Sequence, residues 1–335
     1  MWWVAEKAIH PDLLMLRYLT QRAVAFLPTL LGVSILIFGA IRLVPGDAIV
    51  AMLGTEAGML TDTQRASLEA YFGLDKPVVE QYFHWLGGAV RGDLGLSVRH
   101  GEPVMNVILA RFPVTLQLAL MSLMIALVVG LPMGILSAVR HNSLIDLVGR
   151  LIALLGLAMP GFLLGTLVIY VLSVYFKILP NSGDYVPLWE DPPRNFSQMI
   201  FPALTLGFSF SASLMRTTRS AMLEVLGQDY MRTARSKGLY EGTIVRRHAL
   251  RNALIPIVTI IGVELGYLLG GTVIIEEIFA LPGIGRLVFN AISQRDYALV
   301  QGIALFVAFN FVVINLITDV IYAALDPRIS FANAS

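Results

Sequence analysis

Cysteine is absent from the 335-residue sequence, which excludes a disulfide framework and any thiolate metal site. Charge is scarce too: Asp, Glu, Lys and Arg make up 14% of the residues, where a soluble domain carries about a quarter. So few charges cannot clothe a water-facing surface. The G-x-x-x-x-G-K-[ST] pattern is missing, so the chain has no loop to cradle ATP phosphates. The Gly283-Ile-Gly285 pair lacks both the third glycine and the strand–helix setting of a dinucleotide site, and reads as a turn. H-E-x-x-H is missing as well, and the five histidines are scattered at His10, His84, His100, His141 and His248, outside every long apolar stretch. That excludes a histidine metal cluster or a Ser–His dyad at membrane depth. No repeat with a period of roughly 20–50 residues and no low-complexity tract is present.

What the chain has is hydrocarbon. It is 56% apolar with a mean hydropathy of +0.74, and about 20 consecutive apolar residues suffice to cross a bilayer as a helix. Residues 23–41, 112–139 and 151–176 contain no charged side chain, residues 252–275 contain only Glu264, and residues 297–318 contain none before Asp319. A sixth uncharged stretch, 195–215, is the least apolar, with Ser197, Gln198, Thr205, Ser209, Ser211 and Ser213. These stretches predict six membrane helices near 23–44, 113–139, 151–176, 199–216, 253–275 and 302–325.

Orientation follows from Lys and Arg, which concentrate on the cytoplasmic side. With both termini inside, the inner segments 1–22, 140–150, 216–252 and 326–335 carry 14 bases against 7 acids. The outer segments 45–112, 177–198 and 276–301 carry 9 bases against 14 acids. The 216–252 loop dominates this balance, with Arg216, Arg219, Arg232, Arg235, Lys237, Arg246, Arg247 and Arg251. The expected architecture is therefore an all-α integral membrane protein with six transmembrane helices and both termini cytoplasmic. Residues 1–22 form an N-terminal segment whose charges, Glu6, Lys7, Asp12, Arg17 and Arg22, exclude the apolar core of a cleavable signal. Its first 14 residues read either as interfacial, with Trp2 and Trp3 at headgroup level, or as an extension. The membrane pattern begins at Arg17, which leaves Met15 as an alternative start. Residues 23–335 form the membrane domain, including an outer cap at 45–112 with two weakly helical stretches near 62–72 and 77–90.

Inside the membrane the informative residues are glycines and stray acids. Gly262, Gly266 and Gly270 lie four apart on one face of the fifth helix, and Gly130/Gly134 and Gly161/Gly165 repeat the spacing in the second and third. Such faces let helices approach closely; ordinary packing is the first reading, a subunit contact the second. An ionisable group at membrane depth is costly unless it meets a partner or water. Arg42 stands near a helix end and can reach the interface. Asp319 lies close to the last interface. Glu264 is near the middle of its helix; it faces either a translocation path, together with Ser209 and Ser213 of the polar fourth helix, or a polar subunit interface.

The 216–252 loop is the most distinctive segment. Leu223, Leu226 and Tyr230 fall at helical spacing, Gly238 interrupts, and a second short helix is expected over about 243–252. A helix–glycine–helix unit with a basic surface suits docking in a groove of another protein, although topology and attraction to anionic lipid alone also account for its charge. Its wording decides between them. Tyr230-Met-Arg-Thr-Ala-Arg-Ser-Lys-Gly238 followed by Arg247-His-Ala-Leu-Arg-Asn252 resembles the coupling loop of ABC importer permeases, and more narrowly the dipeptide/oligopeptide/nickel branch. Arg232, Thr233 and Ala234 take the place of Glu-Ala-Ala, Gly238 that of the glycine, and His248-Ala-Leu-Arg251 that of Ile-x-Leu-Pro. Tyr240 replaces the small residue expected before the second helix. The resemblance runs along nearly the whole chain, through Arg42-Leu-Val-Pro-Gly-Asp47, Gly92-Asp-Leu-Gly-Leu-Ser97, Arg111-Phe-Pro-Val-Thr-Leu116, Glu277-Ile-Phe-Ala-Leu-Pro-Gly-Ile-Gly-Arg286, Arg295-Asp-Tyr297 and Asp326-Pro-Arg328. Ala48 and Ala298 stand where that family is expected to have proline, and Glu264 where an uncharged amide is more usual.

The resemblance implies a type I ABC importer permease in a bacterial or archaeal inner membrane. It further implies a second permease subunit, two ATPase subunits that bind ATP and Mg, and an extracytoplasmic substrate-binding protein; the chain itself needs no cofactor, metal or nucleic acid. Asp229, Tyr230, Arg232, Thr233, Ala234, Arg235, Lys237, Gly238, His248, Leu250 and Arg251 become the ATPase-coupling residues. Peptides lead as the transported class, with nickel chelates, glutathione-like compounds and oligosaccharides as alternatives. A stand-alone secondary transporter or channel is the rival reading; it favours paired intramembrane charges and broken helices in matching halves, and the sequence offers one mid-membrane acid.

Overall fold

The structure is a computed structural model describing residues 11–43, 60–71, 75–181 and 184–325. Trp2 and Trp3, the Pro45-Gly-Asp47 turn, Ala48 and the Asp326-Pro-Arg328 motif lie outside the described residues. In chain order the helices are α1 (Pro11–Arg42), α2 (Asp62–Tyr71), α3 (Val78–Val90), α4 (Val104–Val139), α5 (Leu144–Ala158), α6 (Gly161–Val171), α7 (Pro192–Leu226), α8 (Asp229–Ser236), α9 (Leu250–Gly271), α10 (Val273–Ile278), α11 (Ile284–Ser293) and α12 (Tyr297–Leu325). Strands β1 (Leu96–Ser97) and β2 (Glu102–Pro103) pair antiparallel, Leu96 opposite Pro103 and Ser97 opposite Glu102. Among the described residues five helices are long and apolar enough to span a bilayer, and six if the α5–α6 pair crosses as one.

That pair departs from the expected single helix over 151–176. Instead α5 and α6 meet at an angle of 101°. The cause is Pro160, the N-cap of α6: proline disfavours helical geometry in the residue before it and cannot donate the next helical hydrogen bond. Met159 accordingly turns extended, with ψ 120°. A second departure is the loop's expected short helix. Residues Glu241–Thr243 and the π-helical Ile244–Ala249 run without interruption into α9, so the residues after Gly238 are the end of the fifth long helix rather than a separate element.

The chain forms two compact units. The first comprises Leu116–Leu281 with the flanking Met1–Val24 and Phe311–Ser335, and α7 is its centre. Asp191 caps α7 by accepting from the Arg194 amide at 3.1 Å, and Pro192 and Pro193 fill the first turn, where an amide hydrogen has no partner to lose. Asn195, fully buried, and Gln198 hold the preceding chain: Asn195 donates to the Val186 carbonyl at 2.9 Å, and Gln198 accepts from the Val186 amide at 3.0 Å. Tyr185 joins them, donating to Gln117 at 3.3 Å, and burial pushes its phenol up from the ordinary value.

In the second unit, Ala25–Thr115 with Pro282–Asn310, Leu94, Val104, Ile108, Ile284, Leu299 and Ile303 form the core. Gly302 lets α12 approach Val104 and Leu94. Helix α3 lies along α1 through Phe38, which meets Tyr82 edge-on at 5.3 Å, and through the Ser34–Tyr82 hydroxyl pair at 2.9 Å. Arg42 ends α1 by donating to Gln81 at 2.5 Å and stacking over Phe38 at 3.5 Å.

Candidate functional site

The basic loop is built on two buried apolar anchors. Met231 in α8 and Ile244 in the π-helical stretch are both 0% exposed, and α8 packs against that stretch. With Met231 turned inward, a helical period of about 3.6 residues turns Asp229, Arg232, Thr233 and Ser236 outward, and all are exposed; Arg235, one turn beyond Met231, is exposed as well. Tyr230 is 48% exposed and its hydroxyl lies 3.4 Å from the Asn252 side chain. Its neighbour Met231, and not Tyr230, is the inward residue of α8.

Helix α8 ends on Gly238, whose φ of +76° is left-handed. The Lys237 amide donates to the Thr233 carbonyl at 3.1 Å, and the Gly238 amide to the Arg235 carbonyl at 2.9 Å. A Cβ at Gly238 would meet nothing within 4 Å, so the glycine is required for its backbone, not for space. The return strand of the loop is clipped by Arg235, whose Nε sits 2.8 Å from Glu241 Oε1. Arg232 pairs loosely with Asp229 at 3.5 Å, and Thr233 donates back to the Asp229 carbonyl at 3.2 Å. Ala234, His248 and Leu250 are half-buried, while Lys237 and Arg251 are exposed; the His248 carbonyl accepts from Asn252 at 2.7 Å. Tyr240 holds an extended backbone before the helical turn and stays exposed. The outcome is a fixed helix presenting guanidinium and ammonium groups at its surface, Arg232 and Arg235 in exposed ion pairs, fit to meet a groove with acidic and carbonyl acceptors.

Among the membrane-depth groups, Glu264 of α9 faces Ser213 of α7. Ser209 lies one turn earlier on the same face of α7, and all three are half-buried. Gly262 and Gly266 face α12: a Cβ at Gly266 would lie 2.6 Å from the Phe311 ring, and one at Gly262 would collide with Thr318. This is packing inside the chain. Gly270 is exposed. Asp319 of α12 pairs with Arg22 of α1 at 3.5 Å.

Two polar clusters escape a reading by local pattern. Asp146, 0% exposed, receives Arg219 in two-point fashion, Nε to Oδ1 at 2.6 Å and Nη2 to Oδ2 at 2.9 Å. Ser137 donates to it at 2.5 Å and the Asn142 amide at 3.0 Å. Only the cap is visible in sequence: Ser143, three residues before Asp146, accepts from the Asp146 amide at 3.3 Å. In the second unit, Asp296 accepts from Ser97 at 2.5 Å and from the Leu299 amide at 3.2 Å. The Gly92–Ser97 and Arg295–Tyr297 motifs are thus one structural clamp that also starts α12.

A family described as "Binding-protein-dependent transport system inner membrane component" matches residues 130–331, and its N-terminal counterpart matches residues 15–119. The chain belongs to this family of multi-pass inner-membrane transport components, which are permeases and not themselves catalysts. The dipeptide transport system permease protein DppB of Escherichia coli is 40% identical over 337 residues, covering 94% of this chain and 99% of that protein. The glutathione transport system permease protein GsiC of Escherichia coli is 40% identical over 318 residues, covering 95% of this chain and 100% of that protein. An inward-facing form of the MetNI methionine ABC transporter matches with a TM-score of 0.53 at 18% identity, over 66% of this chain and 97% of that chain. The fold is that of a type I ABC importer permease.

Proposed function

We propose that this chain forms half of the pathway for ATP-driven import of small peptides. A second, similar permease subunit supplies the other half, two ATPase subunits supply the energy, and an external binding protein delivers the substrate. Both termini and the 216–252 loop then face the cytoplasm. The observation that carries this reading is the α8 surface: Arg232, Arg235 and Lys237 stand exposed on a helix fixed by Met231 and closed by Gly238. ATP can drive the cycle only if it biases two permease conformations differently, and this loop is the element placed to receive that bias. The peptide class rests on the names of relatives such as DppB and GsiC. Glu264, half-buried beside Ser213, offers a carboxylate of the right sign for a peptide amino terminus.

The test is an affinity pull-down of the chain from detergent-solubilised membranes, with partners identified by mass spectrometry. Recovery of a P-loop ATPase and a second six-span permease is the expected result. Recovery of the chain alone, transporting in liposomes without ATP, would replace this reading with a secondary transporter.

A further inference from the structure

Helix α7 meets α4 and α5 along a seam with almost no slack. A Cβ at Gly130 would lie 2.6 Å from the Ser211 carbonyl oxygen, one at Gly134 2.6 Å from Thr218 Cβ, and one at Gly156 2.8 Å from Ala212 Cβ. At the end nearest the basic loop the seam closes on Asp146 and Arg219. One carboxylate there gathers Ser137 of α4, the Asn142 turn in its left-handed conformation (φ +61°), the first turn of α5, and Arg219 of α7. Arg219 stands seven residues, or about 10 Å along the axis, before the end of α7 at Leu226, and only Gly227 and Gln228 separate that end from α8. Arg150 adds a weaker approach to the same carboxylate at 3.6 Å.

We propose that the Asp146–Arg219 pair is a positioning clasp that makes α4, α5 and α7 move as one body with the α8 helix. A push on α8 then reaches the membrane helices without being lost to sliding between them. The argument has three parts. A two-point guanidinium–carboxylate contact fixes angle as well as distance. The Asp146 carboxylate is fully covered, and sliding by one residue breaks both of its bonds to Arg219, leaving only the longer approach of Arg150 to offset a covered charge. Close-packed seams resist continuous deformation and shift only between discrete arrangements. This inference rests on the loop being the ATPase contact proposed above, and it assigns Asp146 and Arg219 a role in transmission and none in contacting ATPase or substrate.

The experiment uses the assembled importer in proteoliposomes, reading labelled-dipeptide uptake and phosphate release together. Asp146→Asn keeps the shape and removes the charge. The expected result is that the ATPase subunits stay bound and hydrolysis continues, while uptake per ATP falls about tenfold, toward the lower end of the usual range for coupling between sites. Asp146→Glu should restore part of that ratio. Equal losses of uptake and hydrolysis, or an unchanged ratio, would overturn the proposal. Should Asp146→Asn fail to assemble, Arg219→Lys is the second test: it keeps the charge and gives up the two-point contact. The expected result is a bound, hydrolysing ATPase with lowered uptake per ATP. An unchanged ratio in Arg219→Lys would sink the clasp. If the wild-type chain never retains an ATPase, the loop reading itself has failed; if it does and Gly238→Leu uncouples it while Asp146→Asn does not, only the clasp has.

Discussion

Helices α7 and α1 invert the rule that governs water-soluble proteins. The spanning part of α1 is apolar along its length, yet only 11% of it is buried, with Val24, Leu27, Leu31, Ile35 and Leu36 all exposed. Helix α7 is the most polar of the spans, yet 61% of it is buried, and its buried set includes Asn195, Gln198, Thr205, Ser211 and Thr218. In water burial follows apolarity. In a bilayer the surroundings are as apolar as leucine, so hydrocarbon gains nothing by turning inward, whereas an unpaired hydroxyl, amide or charge facing lipid is penalised. The polar helix therefore takes the centre, where Asn195 finds Val186 and Arg219 finds Asp146.

The comparison can be broken or sharpened by substitution. The largest effect is expected for Asp146→Ala, which strands the Arg219 charge at the closed end of the seam. Removing one partner of a buried pair costs about 3–5 kcal/mol, so detergent thermal stability and folded yield should fall sharply. Next comes Gly130→Val in the seam, where the new side chain meets the Ser211 backbone; overpacking of this kind costs about 1–3 kcal/mol and should lower the melting temperature measurably. Gly238→Ala is expected to cost about 1–2 kcal/mol, because alanine resists the left-handed conformation that glycine holds there, with the loss appearing in coupling more than in stability. The smallest effect is expected for Gly39→Ala in α1, where a Cβ meets nothing within 4 Å. Helix propensity alone then applies, with a gain of up to about 1 kcal/mol. A destabilisation by Gly39→Ala as large as that by Gly130→Val would erase the distinction between the two helices.

Much of the membrane architecture was legible because charges are so few that their absence outlines each span. The stretch 195–215 was the weakest on apolarity and proved the most buried, for the reason above. The glycine at 238 and the arginines around it were legible because a helix stop and an exposed basic face leave local signatures. Three features were not legible, each for a physical reason. The 101° bend hides in an apolar run whose only warning is Met159-Pro160. Met231 rather than Tyr230 turns inward because α8 is a separate helix, and its phase is reset at Gly227 and Gln228. The Asp146–Arg219 contact spans 73 residues, and no local pattern announces a pair brought together by the packing of whole helices.

The central claim is that the loop around α8 transmits ATP's work to the membrane helices. Its most direct test is uptake of a labelled dipeptide by proteoliposomes carrying the assembled complex, comparing wild type with Gly238→Leu. The account predicts ATP-dependent, binding-protein-dependent uptake by the wild type, and loss of that uptake in the variant although the chain remains in the membrane. Wild-type uptake that proceeds without ATP, or a Gly238→Leu complex that transports normally, would contradict it.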